Sequence, residues 1–165
     1  MYLFFDTETT GLPKSWQAPI SDLDNWPRMV QLAWILSKDD GEEILRKNYI
    51  IRPEGFLIPE KSSEIHGIST ERALKEGVDL KKALDDFVYD LERSKLLIAH
   101  NINFDKKIIG AEFLRKNIES NLDNVSQFCT MESTTNYCQI EKQNGYGYKW
   151  PRLEELHRKL FLKNI

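Results

Sequence analysis

Two carboxylates spaced two residues apart, Asp6 and Glu8 in FFDTETTG, stand at the end of an apolar run near the start of the chain. A third, Asp105, closes the stretch HNINFD that begins at His100. Residues two apart on an extended segment project to the same side, so Asp6 and Glu8 aim their charges in one direction. Anions brought together raise one another's pKa values unless a cation lies between them. Hard carboxylate oxygens suit Mg²⁺, which keeps room for phosphate oxygens and water. Two such ions can activate a water and stabilise the leaving oxygen of a phosphodiester. Thr9, Thr10 and Gly11 follow the acids, and small residues there would let a substrate backbone approach closely. Each motif alone has a commoner use: Asp-x-Glu as a solvated turn, and an Asp in a first helical turn as a complement to the macrodipole.

The elements that must gather these acids are visible as patterns. Tyr2, Phe4, Asp6 and Glu8 fall on one face of a period-two strand, with Leu3, Phe5 and Thr7 on the other. Both faces begin apolar, which predicts a central strand covered on both sides. Residues 14–27 read as a partly packed loop, broken by Pro19 and Pro27 and anchored by Trp16 and Trp26. MVQLAWILS and EILRKNYIIRP flank Lys38-Asp39-Asp40-Gly41, and Asp-Gly between alternating runs signals a hairpin. A short helix over 69–76 has Ser69 or Thr70 as its cap, and Leu80, Ala83, Leu84, Phe87, Val88 and Leu91 then recur at helical spacing. Residues 95–99 form a short buried strand, and Asn103 can cap the helix that carries Phe104, Ile108 and Ala111. Residues 131–141 and PRLEELHRKLF read as helical, separated by the turn NGYGY. This order predicts a single mixed α/β domain over 1–165. Sites in such sheets form beyond the carboxyl ends of strands, so Asp105 joins the other acids if the two strands are neighbours.

Composition narrows the field. A chain of 165 residues with 41% hydrophobic and 30% charged residues suits one well-cored domain rather than disorder. No apolar run approaches bilayer length, so no membrane partner is expected, and YLFF is too short for a signal-peptide core. Cys129 and Cys138 form no metal-ligand or redox motif, and a cytoplasmic, reducing setting is the simplest expectation. A net charge of −3 offers no general basic face for phosphate. A site that grips a strand end through metal ions needs little such charge, since the ions supply it.

Taken in this order, FFDTETTGL and AHNINFD resemble the DnaQ-type 3′–5′ exonucleases of the DEDD superfamily, of the DEDDh kind to which the DNA polymerase III epsilon subunit belongs. MVQLAW at 29–34 and IHGIST at 65–70 extend the likeness over most of the chain. The resemblance implies a ribonuclease H-like mixed sheet flanked by helices. It implies that Asp6, Glu8 and Asp105 are catalytic carboxylates binding Mg²⁺ or Mn²⁺ at two sites. Thr9 and Leu12 would contact the terminal nucleotide, Leu12 by wedging against a base, while Asn101 and Phe104 line the same cleft and His66 stands beside it. The partners so implied are nucleic-acid 3′ ends, DNA or RNA, and a DNA polymerase.

The family places two further groups on a last helix, as His-x-x-x-x-Asp or, in a sister group, Tyr-x-x-x-Asp. After Asp105 the remaining histidine is His157, with Leu162 where the acid would stand; Tyr137 leads to Glu141, Tyr146 to Trp150, and Asp123 has no His or Tyr correctly spaced before it. The expectation is a domain cut short relative to the family, lacking its last helix. Losing a general base costs on the order of 10²–10⁴ in rate. Weak or lost exonuclease activity is therefore expected. The alternative is a catalytically inactive nucleic-acid-binding or protein-interaction module that keeps the fold. Surface left bare by a missing helix favours association, here a homodimer or a tail rearranged over the gap.

Other residues have competing uses. His66 more commonly shapes a loop than does acid–base work, His100 at a strand end could take either role, and His157 on a polar-faced helix is expected to be solvated. Trp16, Trp26 and Trp34 could stack on bases. Packing is the commoner use, above all for Trp34 within a strand. NGYGYKW is read similarly, as a turn packed by its tyrosines rather than a nucleic-acid contact.

Overall fold

Alternation in the first residues and the Asp-Gly turn between the next two runs generate a three-stranded antiparallel unit. In the computed structural model, which describes residues 1–162, this unit comprises β1 (Tyr2–Thr9), β2 (Met29–Ser37) and β3 (Glu43–Ile50). Helices α1 (Glu60–His66), α2 (Thr70–Glu76) and α3 (Leu80–Leu91) lead to β4 (Leu96–Ala99) and α4 (Ile102–Lys116). β5 (Ser126–Cys129), the short α5 (Thr130–Ser133) and α6 (Thr135–Cys138), and α7 (Leu153–Phe161) complete the order. The strands form one sheet in the order β3-β2-β1-β4-β5. β1 pairs antiparallel with β2 and parallel with β4, and β4 pairs parallel with β5. β1 is thus the central strand.

Only one face of β1 is well covered. Leu3 and Phe5 join Leu32, Trp34 and Leu36 of β2 against Leu84 and Phe87 of α3 and Ile108 of α4. The Phe87 ring stands edge-on to Trp34, with centroids 5.4 Å apart. Caps set the helix starts: Ser69 accepts from Arg72 N–H to open α2, and Asp79 from Lys82 N–H to open α3. On the opposite face Phe4 is 40% exposed, and a cavity of about 260 Å³ is lined there by Phe4, Asp6, Ala33, Ile35, Arg46 and Asn48. The expectation of cover on both sides of β1 is therefore corrected. An apolar start to both faces marks a central strand, yet it does not supply the second layer.

Three further local expectations change. Asn103 is not the cap of α4; Asn101 is, in the left-handed conformation at φ 72°, and the Asn103 amide donates instead to Glu132 Oε1. Residues 131–141 give two helical turns of four residues rather than one helix, preceded by the unanticipated β5. SQFC lacks the apolar alternation that would announce a strand, and pairing with β4 makes it one. The tyrosine-rich turn is not packed, for Tyr146 is fully exposed. Trp34 and Trp26 are core residues, and both cysteines are buried free thiols. The tail whose rearrangement was expected lies partly outside the described residues. No helix among the described residues is long and apolar enough to cross a membrane.

Candidate active site

Parallel pairing of β1 with β4, Phe4 opposite Ile98, brings both carboxyl-end motifs to the same end of the sheet. The ladder between β1 and β2 slips between Glu8 and Thr9, which re-aims the residues that follow. β4 ends at Ala99, the chain turns through the left-handed Asn101, and α4 begins with Asp105 in its first turn.

The three acids meet around one strand end from two sides. Asp6 and Glu8 project from the open face of β1. Asp105, 3% exposed, comes from the helix side, where its Oδ1 accepts from the Thr7 N–H at 3.0 Å and from the Thr7 hydroxyl at 2.6 Å. Burial, with the Asp6 charge adding to it and the Thr7 bonds opposing it, pushes the Asp105 carboxyl up to about 7. Asp6 and Glu8 are also raised, chiefly by the protein around them; the Asp6 charge raises Glu8 further, while His100 eases Asp6 downward. Asp6 thus lies close enough to both Glu8 and Asp105 to raise each of them, a repulsion that a hard cation would relieve. The ligand shell expected from sequence is nonetheless looser than anticipated. Among the described residues no group of three His, Cys, Asp or Glu side chains is arranged to hold one ion. The reason is the geometry of β1, which sends Asp6 and Glu8 one way and Thr7, with Asp105 bonded to it, the other.

Beside the acids lies a cleft of about 200 Å³, bounded by Glu8, Thr9, Leu12, Ile65, His66 and Phe104. Four of the predicted substrate residues, Thr9, Leu12, His66 and Phe104, are therefore together, joined by Ser62. Leu12 stands 74% exposed at the rim. Phe104 is braced by the Trp16 ring, with centroids 5.6 Å apart. The Thr9 hydroxyl donates to Gly11 O at 2.6 Å, so it shapes the turn that carries Leu12. Asn101 does not line this cleft; its left-handed backbone turns the chain into α4, and that turn is its visible use. His66 Nδ1 accepts from the Ile68 N–H at 3.2 Å, which places the ring proton on Nε2. That Nε2 is buried, and burial lowers the His66 pKa while the Thr9 backbone works against it.

His100 is otherwise engaged. Its Nδ1 lies 3.0 Å from Thr130 Oγ1 and its Nε2 2.9 Å from Pro151 O, tying the end of β4 to the start of α5 and to the segment before α7. His157 is exposed and packs on Phe161. Sequence reasoning had passed over Thr7 as a holder of Asp105. The available signal was its place between two acids on a strand, where it must face the opposite side.

The chain matches the family model described as Exonuclease over residues 3–165. A DNA polymerase III PolC-type protein of Mycoplasmopsis pulmonis (strain UAB CTIP) is 27% identical over 124 residues, which span 72% of this chain and 7% of that protein. The structure of E. coli exonuclease I in complex with a dT13 oligonucleotide matches 96% of this chain and 35% of its own at 19% identity, with a TM-score of 0.74. The zinc-bound form of E. coli exonuclease I with single-stranded DNA matches 84% of this chain and 30% of its own at 18% identity, with a TM-score of 0.67. The chain thus spans well under half of each of these proteins, and the two structures share its fold.

Proposed function

The chain belongs to the exonuclease family, and on that premise we propose that it engages nucleic-acid 3′ ends as a metal-dependent 3′–5′ exonuclease. The observation that carries this reading is the meeting of Asp6, Glu8 and the Thr7-held Asp105 at one strand end, beside a cleft walled by Leu12, His66 and Phe104. Asp6 and Glu8, with Asp105 adjoining, are the residues that would hold Mg²⁺ or Mn²⁺. Such ions, when bound, supply the charge that activates water and stabilises the leaving oxygen of a phosphodiester.

The chain's own side chains do the remaining work of recognition. Leu12 offers an exposed apolar edge to a terminal base, and Phe104, backed by the Trp16 ring, lines the same cleft. His66, whose Nδ1 accepts from the Ile68 N–H, carries its proton on Nε2 and so has no free acceptor to take a proton in the cleft. With His100 bonded at both nitrogens and His157 exposed on α7, no histidine among the described residues is positioned as general base. Turnover by these 165 residues alone is accordingly weak. That observation favours a second reading as well, in which the chain binds strand ends without cleaving them. The PolC-type relative supports a polymerase as working partner.

The deciding experiment follows release of nucleotides from a 3′-labelled oligonucleotide in Mn²⁺, with binding measured in parallel. Slow release abolished by Asp6→Ala supports the enzyme. Tight binding with no release selects the binding module. Neither binding nor release overturns both.

A further inference from the structure

We propose that the hairpin over residues 141–150 is a second nucleic-acid contact, stacking the bases of a single strand whose end lies in the cleft. The proposal rests on the nuclease reading and extends it to the strand beyond the terminal nucleotide.

The hairpin is closed by a bridge between Glu141 and Tyr148 and by the bonds Lys142 N–H to Gly147 O and Lys149 N–H to Ile140 O. At its tip Tyr146 is fully exposed between Gly145 and Gly147, both at positive φ (122° and 91°) and both facing open space. With no side chain on either neighbour, little local structure covers the Tyr146 ring. Trp150 is 63% exposed at the base. Tyr148 and Trp150 join Lys142 and Lys149 around a cavity of about 340 Å³. Three aromatic rings kept in water on one short hairpin is an unfavourable arrangement for the free protein, and an aromatic platform beside ammonium groups suits unpaired bases and their phosphates.

Position and charge point to the same occupant. The hairpin leads directly into Pro151, whose carbonyl lies 2.9 Å from His100 Nε2, and His100 follows the end of β4, the strand paired with β1. The base of the platform is therefore tied to the strand end that carries the acids. Lys149 is held by Glu155 at 2.7 Å and Arg152 by Glu154 at 3.1 Å, whereas Lys142 has no carboxylate partner among the described residues. One uncompensated cation predicts that stacking supplies most of the affinity and charge little of it.

Binding of 5′-fluorescein oligo(dT) of two and of fifteen nucleotides, measured by anisotropy in EDTA so that nothing is cleaved, tests the proposal. Tyr146→Ala is expected to weaken the longer strand on the order of tenfold and leave the dinucleotide unchanged, while Tyr146→Phe binds like the parent chain. Lys142→Gln is expected to flatten the slope of log affinity against log salt by roughly 0.7, the value for one phosphate on a single strand. Unchanged affinity in Tyr146→Ala, with Leu12→Ala weakening the parent's binding, overturns the hairpin contact and spares the nuclease reading. Self-association lost in Tyr146→Ala while strand binding is retained assigns the surface to protein and also overturns it. No binding of any oligonucleotide, with or without Mn²⁺, overturns both readings.

Discussion

Thr7 donates its backbone N–H and its hydroxyl to the same oxygen, Oδ1 of Asp105, across 98 residues of sequence. The hydroxyl bond is the shorter, at 2.6 Å against 3.0 Å. A buried carboxylate needs such donors, because an unsatisfied polar group in the interior is costly. Thr7→Val removes one donor without changing volume much. It is expected to destabilise the fold by about 1–3 kcal/mol and to raise the Asp105 pKa further, whereas Thr7→Ser keeps the donor and most of the stability. Urea denaturation of both variants checks the difference.

Divalent cation binding should depend on Asp6 and Glu8 together. Mn²⁺ at a hundredfold excess over its dissociation constant would stabilise the folded chain by about 2.7 kcal/mol through mass action. Glu8→Gln and Asp6→Asn are expected to abolish that gain while leaving the metal-free chain as stable as the parent or slightly more so, since each removes a repelling charge. Thermal melts with and without Mn²⁺ measure both effects.

Glu112 ties the loop before β2 to α4. Fully buried, its Oε1 accepts from the Met29 N–H at 2.9 Å and from Arg28 Nε at 3.0 Å, with Arg115 Nη1 at 3.1 Å. Arg28 in turn exchanges backbone and hydroxyl bonds with Thr10, next to the turn that carries Leu12. Glu112→Ala leaves the Met29 N–H and Arg28 Nε without their acceptor, while Arg115 keeps its bonds to the Leu23 and Trp26 carbonyls, and is expected to cost about 1–3 kcal/mol. Amide exchange at Thr10 and Gly11 should rise in the same variant.

Acid should loosen the start of α7. Glu155 accepts from the Arg152 N–H and from Lys149, and these bonds hold its carboxyl down at about 2 instead of the ordinary 4.5. A depressed carboxyl pKa means that the unfolded chain binds the proton more tightly. The contribution is therefore complete above 4.5 and is lost as pH falls through that window towards about 2. Glu155→Gln should remove this pH dependence, read from the Arg152 amide resonance.

Leu12 contributes nothing to the core and should act on substrate alone. Leu12→Ala is expected to change stability by less than about 0.5 kcal/mol while weakening binding of a dinucleotide. Denaturation and anisotropy separate the two.

The amino-acid sequence by itself determined the parts that rest on short-range rules. Period-two spacing put Asp6 and Glu8 on one side, Asp-Gly closed the β2–β3 hairpin, and the caps at Ser69 and Asp79 started their helices. The resemblance of DTETTG and HNINFD to an exonuclease family needed no coordinates, and the family match agrees with it. What only the tertiary structure decided are relationships between distant segments. SQFC became a strand because β4 was there to pair with it, and Asp105 took its place because the far side of Thr7 was open to α4. The exposure of Tyr146 belongs to the same class, since composition favours packing a tyrosine and only the surrounding structure can withhold a surface to pack against. Local pattern fixes the direction in which a side chain points; what it meets depends on chain brought there by folding.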